Sequence, residues 1–216
     1  MKRSFEALII CLIFTAIFIS CATAPQVSHI PAAERVPEQP PERPEKPQAP
    51  QIPEYIMGNG IVPAKDLAAF LLEINTGAEA AYIEELAFIY TDEAAIEGVN
   101  HDVAFAQMCL ETGFLRFGGL VTPDMNNFCG LGAIGPGQNG VIFPDARTGI
   151  RAHMQHLKAY ATDAPLNQEL VDPRYRYVRL GSSPAISGLA GTWASDKNYA
   201  EKISSILERL YSYSFR

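Results

Sequence analysis

A chain of 216 residues with a formal charge of −7, 48% hydrophobic and 19% charged residues, has room for one ordinary folded domain plus appendages. It carries no polybasic surface to neutralise phosphates, which argues against nucleic acid as a partner. An acidic balance gives no global attraction to anionic polymers either, so a polyanionic ligand would have to be held by local groups.

Lys2 and Arg3 precede an apolar run over residues 7–19, which is too short to span a bilayer but fits the hydrophobic region of a secretory signal. The chain is therefore expected to be exported. The run leads into Phe18-Ile19-Ser20-Cys21, which resembles the bacterial lipobox, where a small residue precedes a cysteine that becomes acylated and N-terminal. That resemblance implies a lipoprotein signal peptide over residues 1–21 with Cys21 as the lipidation site, although Phe18 stands where leucine is usual. A simple cleaved signal is the alternative. Several acyl chains on one residue would attach the protein to a membrane without a spanning helix, and Ala22 after the cysteine implies the outer membrane, facing the periplasm.

Ten of the sixteen prolines fall between Ala22 and Pro63, with Glu and Gln between them. Such a stretch cannot bury a core, and alternation of Pro with charged residues favours extended, polyproline-like chain. Residues 22–62 are expected to form a tether, with a reach between roughly 35 Å coiled and roughly 130 Å extended.

Residues 63–216 carry the helical patterning. Leu67, Phe70, Leu71 and Ile74 recur at helical spacing over residues 63–76, between Pro63 and Gly77. A second helix is predicted over residues 79–96 and closed by Gly98; a third begins at His101 or Asp102, ends with Glu111 in its last turn and stops at Gly113. A Gly- and Asn-rich stretch over residues 118–140 has little periodicity. Helices over residues 146–161 and 196–211 complete a mainly α domain with one long irregular excursion, a feature that in compact domains often binds ligand.

Four blocks in this domain resemble a known family. Ala104-Phe105-Ala106-Gln107-Met108-Cys109-Leu110-Glu111-Thr112-Gly113 looks like the segment that carries the catalytic glutamate of glucosaminidase domains, glycoside hydrolase family 73, which have a lysozyme-like fold. Asn126-Asn127-Phe128-Cys129-Gly130-Leu131 resembles the family's groove-lining turn, with Cys129 where phenylalanine is usual. Phe143-Pro144-Asp145 with Gly149-Ile150 resembles the next block, and Trp193-Ala194-Ser195-Asp196-Lys197-Asn198-Tyr199 the last. One block alone would say little; four in the family's order, across roughly residues 63–211, are fairly specific.

The resemblance implies an endo-β-N-acetylglucosaminidase acting on peptidoglycan glycan strands after N-acetylglucosamine, with no metal or organic cofactor. Glu111 is the expected general acid, kept protonated by apolar neighbours such as Phe105, Met108 and Phe114. From the residues alone the reading of it as a solvent-facing helix glutamate would prevail. An inverting enzyme needs a base about 6.5–9.5 Å from the acid and a retaining one a nucleophile about 5–5.5 Å away. Asp124 and Asp145 are the candidates by location and Asp172 a third, each also an ordinary turn or cap residue. Substrate assistance by an acetamido group would remove the need for any of them. Tyr199 could bond the reacting sugar or its acetamido group, Trp193 could stack on a sugar face, and Asn126, Asn127 and Phe128 would line the groove.

Other functions of the same sequence stay open: a muramidase or lytic transglycosylase of this fold, or a noncatalytic peptidoglycan-binding lipoprotein. His153 and His156 lie three apart on one predicted helix without a Glu or Cys ligand set, so packing or surface roles are expected rather than metal. Cys109 and Cys129 could pair in an oxidising compartment or remain buried thiols.

Overall fold

The structure is a computed structural model that describes residues 50–135 and 137–216. The lipobox-like run with Cys21, and most of the proline-rich tether, lie outside the described residues.

Five helices carry the domain, as the periodicity predicts. Helix α1 (Ala64–Ile74) starts after Pro63 and buries Leu67, Ala68, Phe70 and Leu71. Helix α2 (Ala80–Glu97) ends at Gly98, whose left-handed φ of 74° releases the chain into the next helix. Helix α3 (His101–Thr112) is capped by Asn100, whose side chain accepts from the N–H groups of Asp102 and Val103. Nine of its twelve residues are buried, and α2, α4 and α5 pack against it, which makes α3 the central helix. Helix α4 (Ala146–Ala161) is capped by Asp145 through the Thr148 N–H, and α5 (Tyr199–Ser214) closes the domain.

Helix α1 lies against α2, α2 against α4, and α3 against α5. Acidic residues of α2 meet basic residues of α4 in the interior: Glu93 with Arg147 and Arg151, and Glu97 with Lys158 at 2.8 Å. Glu97 also accepts from the backbone N–H groups of Asn167 and Gln168. Both buried carboxylates are therefore satisfied by several donors, the condition under which buried charge is tolerated.

Two boundaries differ from those the sequence suggests. The final helix begins at Tyr199 rather than Asp196, because the Asp196 carboxylate takes the Asn198 N–H and the Lys202 ammonium in a turn ahead of it. More consequentially, the folded unit takes in residues assigned to the tether. Tyr55 bridges Ala185, Met57 bridges Val99, and Ile56 is fully buried, its N–H bonded to Pro184 O at 3.0 Å and its carbonyl accepting from Asn100 N at 2.8 Å. The buried Asp102 carboxylate accepts from the N–H groups of Ile61 and Val62 and from the Tyr211 hydroxyl, clasping this segment to α3 and α5. The proline count hid this boundary because the apolar residues Tyr55, Ile56, Met57 and Val62 fall between Pro53 and Pro63.

The irregular excursion is more ordered than its composition suggests. It contains a 3-10 turn (Pro123–Met125) and a short antiparallel hairpin, β1 (Ala133–Gly135) with β2 (Gln138–Asn139). The loop sits against α4 at Gly149, where a Cβ would lie 1.8 Å from the Asn126 carbonyl oxygen; only glycine permits that approach.

Candidate active site

Glu111 projects from the last turn of α3, just before the chain turns at Gly113 with φ 59°. It is partly buried, and two donors converge on one of its oxygens: the Trp193 indole N–H reaches Oε1 at 3.1 Å, and the Tyr199 hydroxyl donates to the same atom. The other oxygen, Oε2, faces the loop, where a Cβ on Gly130 would come within 3.5 Å of it. Burial pushes the Glu111 carboxyl above its ordinary pKa, while the bonds from Tyr199 and Trp193 pull part of the way back. A carboxyl displaced upward with one oxygen pinned and the other directed at a loop is suited to the part of a proton donor.

Tyr199 is itself buried and continues into the interior. Its oxygen accepts from Gln107 Nε2 at 2.8 Å, Gln107 Oε1 meets His153 Nε2 at 2.8 Å, and His153 Nδ1 meets the Tyr90 hydroxyl at 3.1 Å. The direction of every bond follows from the Glu111 end. Oε1 accepts, so Tyr199 donates; the phenol proton being used, Gln107 must donate to it with its amide nitrogen; the amide oxygen then accepts from His153 Nε2–H, which leaves Nδ1 to accept from Tyr90. Burial lowers the His153 pKa to about 3, in keeping with the neutral ring this pattern requires.

Beside this centre lies a cleft of about 180 Å³, lined by residues 129–134 of the loop, His156 and Tyr160 of α4, Arg174 and Trp193. The Trp193 ring lies 5.0 Å from His156 and 5.6 Å from Tyr160, centroid to centroid, and forms a wall continuous with the Glu111 contact. His156 is held by Asp172 through Nδ1 at 2.7 Å. Both histidines are thus engaged, one in the interior chain and one in the cleft wall.

Of the residues singled out in the sequence, Glu111, Trp193 and Tyr199 come together directly. Asn127 and Phe128 do not line a surface. Asn127 is buried, its amide nitrogen bonded to Leu131 O and Val141 O and its oxygen accepting from the N–H groups of Cys129 and Leu131. It braces the turn and has no capacity left for an acetamido group. Phe128 is fully buried in the main core. Asn126 takes a left-handed φ of 50° and donates to Phe143 O at 3.1 Å, so it too shapes the loop. Asp145 is exposed and caps α4, and Asp124 is exposed on the 3-10 turn. Cys109 and Cys129 are buried free thiols, both pushed well above the ordinary thiol pKa by burial.

Four positions around the candidate site were not singled out from the sequence: Gln107 as a partner of Tyr199, Gly130 as the loop's approach to Glu111, and the cleft residues Tyr160 and Arg174. Gln107 carried a signal, since it is the polar residue in the apolar run over residues 103–110, one turn before Glu111 on the same face. The others depend on loop geometry that periodicity does not record.

Comparison with known proteins agrees with this geometry. The family model for glucosaminidase, described as mannosyl-glycoprotein endo-beta-N-acetylglucosaminidase, matches residues 87–212, a span that contains Glu111, the loop, α4 and Tyr199. An uncharacterized protein of Borreliella burgdorferi is 42% identical over 160 residues, 74% of this chain and 78% of that protein. The mainly α, lysozyme-like domain with a partly buried glutamate at the end of its central helix belongs to the glucosaminidase family of glycoside hydrolases, family 73.

Proposed function

We propose that the protein is an exported, lipid-anchored endo-β-N-acetylglucosaminidase that cuts peptidoglycan glycan strands after N-acetylglucosamine, with Glu111 as the general acid. The glucosaminidase domain implies a peptidoglycan substrate. The observation that carries the catalytic assignment is the Glu111 carboxyl, fixed through Oε1 by Trp193 and Tyr199, raised in pKa by burial and facing Gly130 of the loop through Oε2.

In this scheme Glu111 gives its proton to the glycosidic oxygen as the C1–O bond breaks. The acetamido carbonyl oxygen of the same sugar bonds to C1; water then attacks C1 as the bond from C1 to that oxygen breaks, and gives a proton to the Glu111 carboxylate, so the anomeric configuration is retained. Substrate assistance is favoured by the cleft wall, which includes no Asp or Glu, and by Asp145 being committed to the cap of α4. Tyr199 acts through Glu111, by holding it. The anchor at Cys21 would keep the domain at the outer membrane, facing the periplasm.

Hydrolysis of purified peptidoglycan by the full chain, wild type against Glu111→Gln, tests this. Muropeptides ending in reducing N-acetylglucosamine from wild type alone, formed with retention, are the expected products. Ends carrying muramic acid or its anhydro form would make the enzyme a muramidase or a lytic transglycosylase. Inversion would return the second role to a carboxylate such as Asp124 or Asp145, and binding without cleavage would leave a tethering lipoprotein.

A further inference from the structure

The cleft beside Glu111 has a cationic side that cleaving a neutral glycan does not need. Arg174 lines it along with the aromatic residues, half-buried, with its guanidinium 4.5 Å from the centre of the Tyr177 ring. The carboxylate nearest in sequence, Asp172, is 2% exposed and already occupied: Oδ2 holds His156 Nδ1 at 2.7 Å, and Oδ1 accepts from the backbone N–H of Arg174 itself at 2.7 Å. Among the described residues the Arg174 guanidinium forms no ion pair; Arg116, Arg176, Arg179 and Arg209 form none either, but Arg174 alone of these lines the cleft. On a chain of net charge −7, a stacked guanidinium left without a counter-ion inside a cleft points to a ligand that brings the anion.

A guanidinium fork matches a carboxylate in geometry, and stacking on Tyr177 holds the fork in place before the ligand arrives. Polymers of N-acetylglucosamine alone carry no carboxylate. Peptidoglycan strands do, on the stem peptides and, once those are removed, on the lactyl ether of the muramic acid.

We propose that Arg174 forms a subsite for a carboxylate borne by the glycan strand, adjoining the sugar wall of Trp193 and Tyr160, and that this subsite makes the cleft select peptidoglycan over neutral N-acetylglucosamine polymers. The proposal rests on the peptidoglycan assignment above, and its test reads binding instead of cleavage. In a Glu111→Gln background, dissociation constants are measured with and without Arg174→Gln for three soluble ligands: peptide-bearing glycan fragments, the same fragments stripped by an amidase, and N-acetylglucosamine oligomers.

Arg174→Gln is expected to weaken a carboxylate-bearing ligand by about tenfold and to leave the neutral oligomers within about twofold. Weakening confined to peptide-bearing fragments assigns the carboxylate to the stem; weakening confined to stripped fragments assigns it to the lactyl group. Equal weakening of all three ligands, or no change with either anionic one, overturns the subsite. In the wild-type background the same change should raise KM on peptidoglycan with kcat nearly unchanged. Failure of wild type to hydrolyse peptidoglycan would refute the glycosidase assignment and leave the binding comparison intact.

Discussion

Replacing Gly149 with alanine sets helix propensity against tertiary fit. By propensity the change should stabilise α4, since alanine is favoured over glycine within a helix by about 0.5–1 kcal/mol. The structure reverses the sign. A Cβ at residue 149 would stand 1.8 Å from the Asn126 carbonyl oxygen and 3.0 Å from its carbon, where ordinary contact begins at 3.4 Å. The obstacle is backbone, so no rotamer relieves it, and helix and loop must separate by more than an ångström. Overpacking of this kind costs about 1–3 kcal/mol, which set against the propensity gain leaves a net cost of about 1–2 kcal/mol. At about 2–4 °C per kcal/mol for a domain of this size, Tm should fall by roughly 2–8 °C. The displaced carbonyl belongs to the loop that brings Gly130 to Glu111, so hydrolysis of dye-labelled peptidoglycan should fall at least about tenfold at temperatures where the variant is fully folded. Circular-dichroism melts read the first effect and dye release the second. A variant that melts at or above wild type with undiminished activity would refute the reasoning.

Gln107→Leu should remove the link between Tyr199 and His153, leaving the buried His153 Nε2–H without an acceptor and the Tyr199 oxygen without its donor, at a cost of about 2–4 kcal/mol. Urea titration reads this as a lower midpoint at unchanged slope, and an unchanged midpoint would show that the chain of bonds contributes nothing to stability. The Glu111→Gln protein should also differ from wild type in the pH dependence of its stability. Because burial raises the folded-state pKa of Glu111, the native state binds this proton more tightly than the unfolded chain does. Its contribution to stability is therefore greatest below the unfolded carboxylate pKa, is lost as pH rises from there through the raised folded value, and is constant above. The Tm of Glu111→Gln relative to wild type should accordingly rise as pH is raised from below the unfolded carboxylate pKa through the raised folded value, and a flat or falling difference would contradict the burial argument.

The sequence carried the helices because their signals are local. Pro63, Gly98 and Gly113 mark ends that the structure keeps, and the apolar period of α1 and α4 falls on their buried faces. Glu111, Trp193 and Tyr199 were legible by resemblance to a family, although nothing local says that residues 82 and 88 positions downstream meet one carboxylate oxygen. The loop was misjudged for a physical reason. Asn127 has the donor and acceptor an acetamido group would want, but a tight turn wants the same pair, and the turn, being covalently adjacent, takes them. The tether boundary failed because proline counting averages over the short stretch where Ile56 and Val62 find a core.

The chain of bonds from Tyr90 to Glu111 bears on where the enzyme obtains its protons. All of its donors point the same way, toward Oε1, and its far end is a phenol with no exposure to solvent. It can polarise the carboxylate, but it has no outside supply from which to deliver a proton, so it is a brace rather than a conduit. In the proposed cycle every proton that Glu111 gives up must come back through Oε2, from the water that enters the cleft beside Gly130. Reloading the acid and hydrolysing the intermediate would then be one event, gated by the same loop.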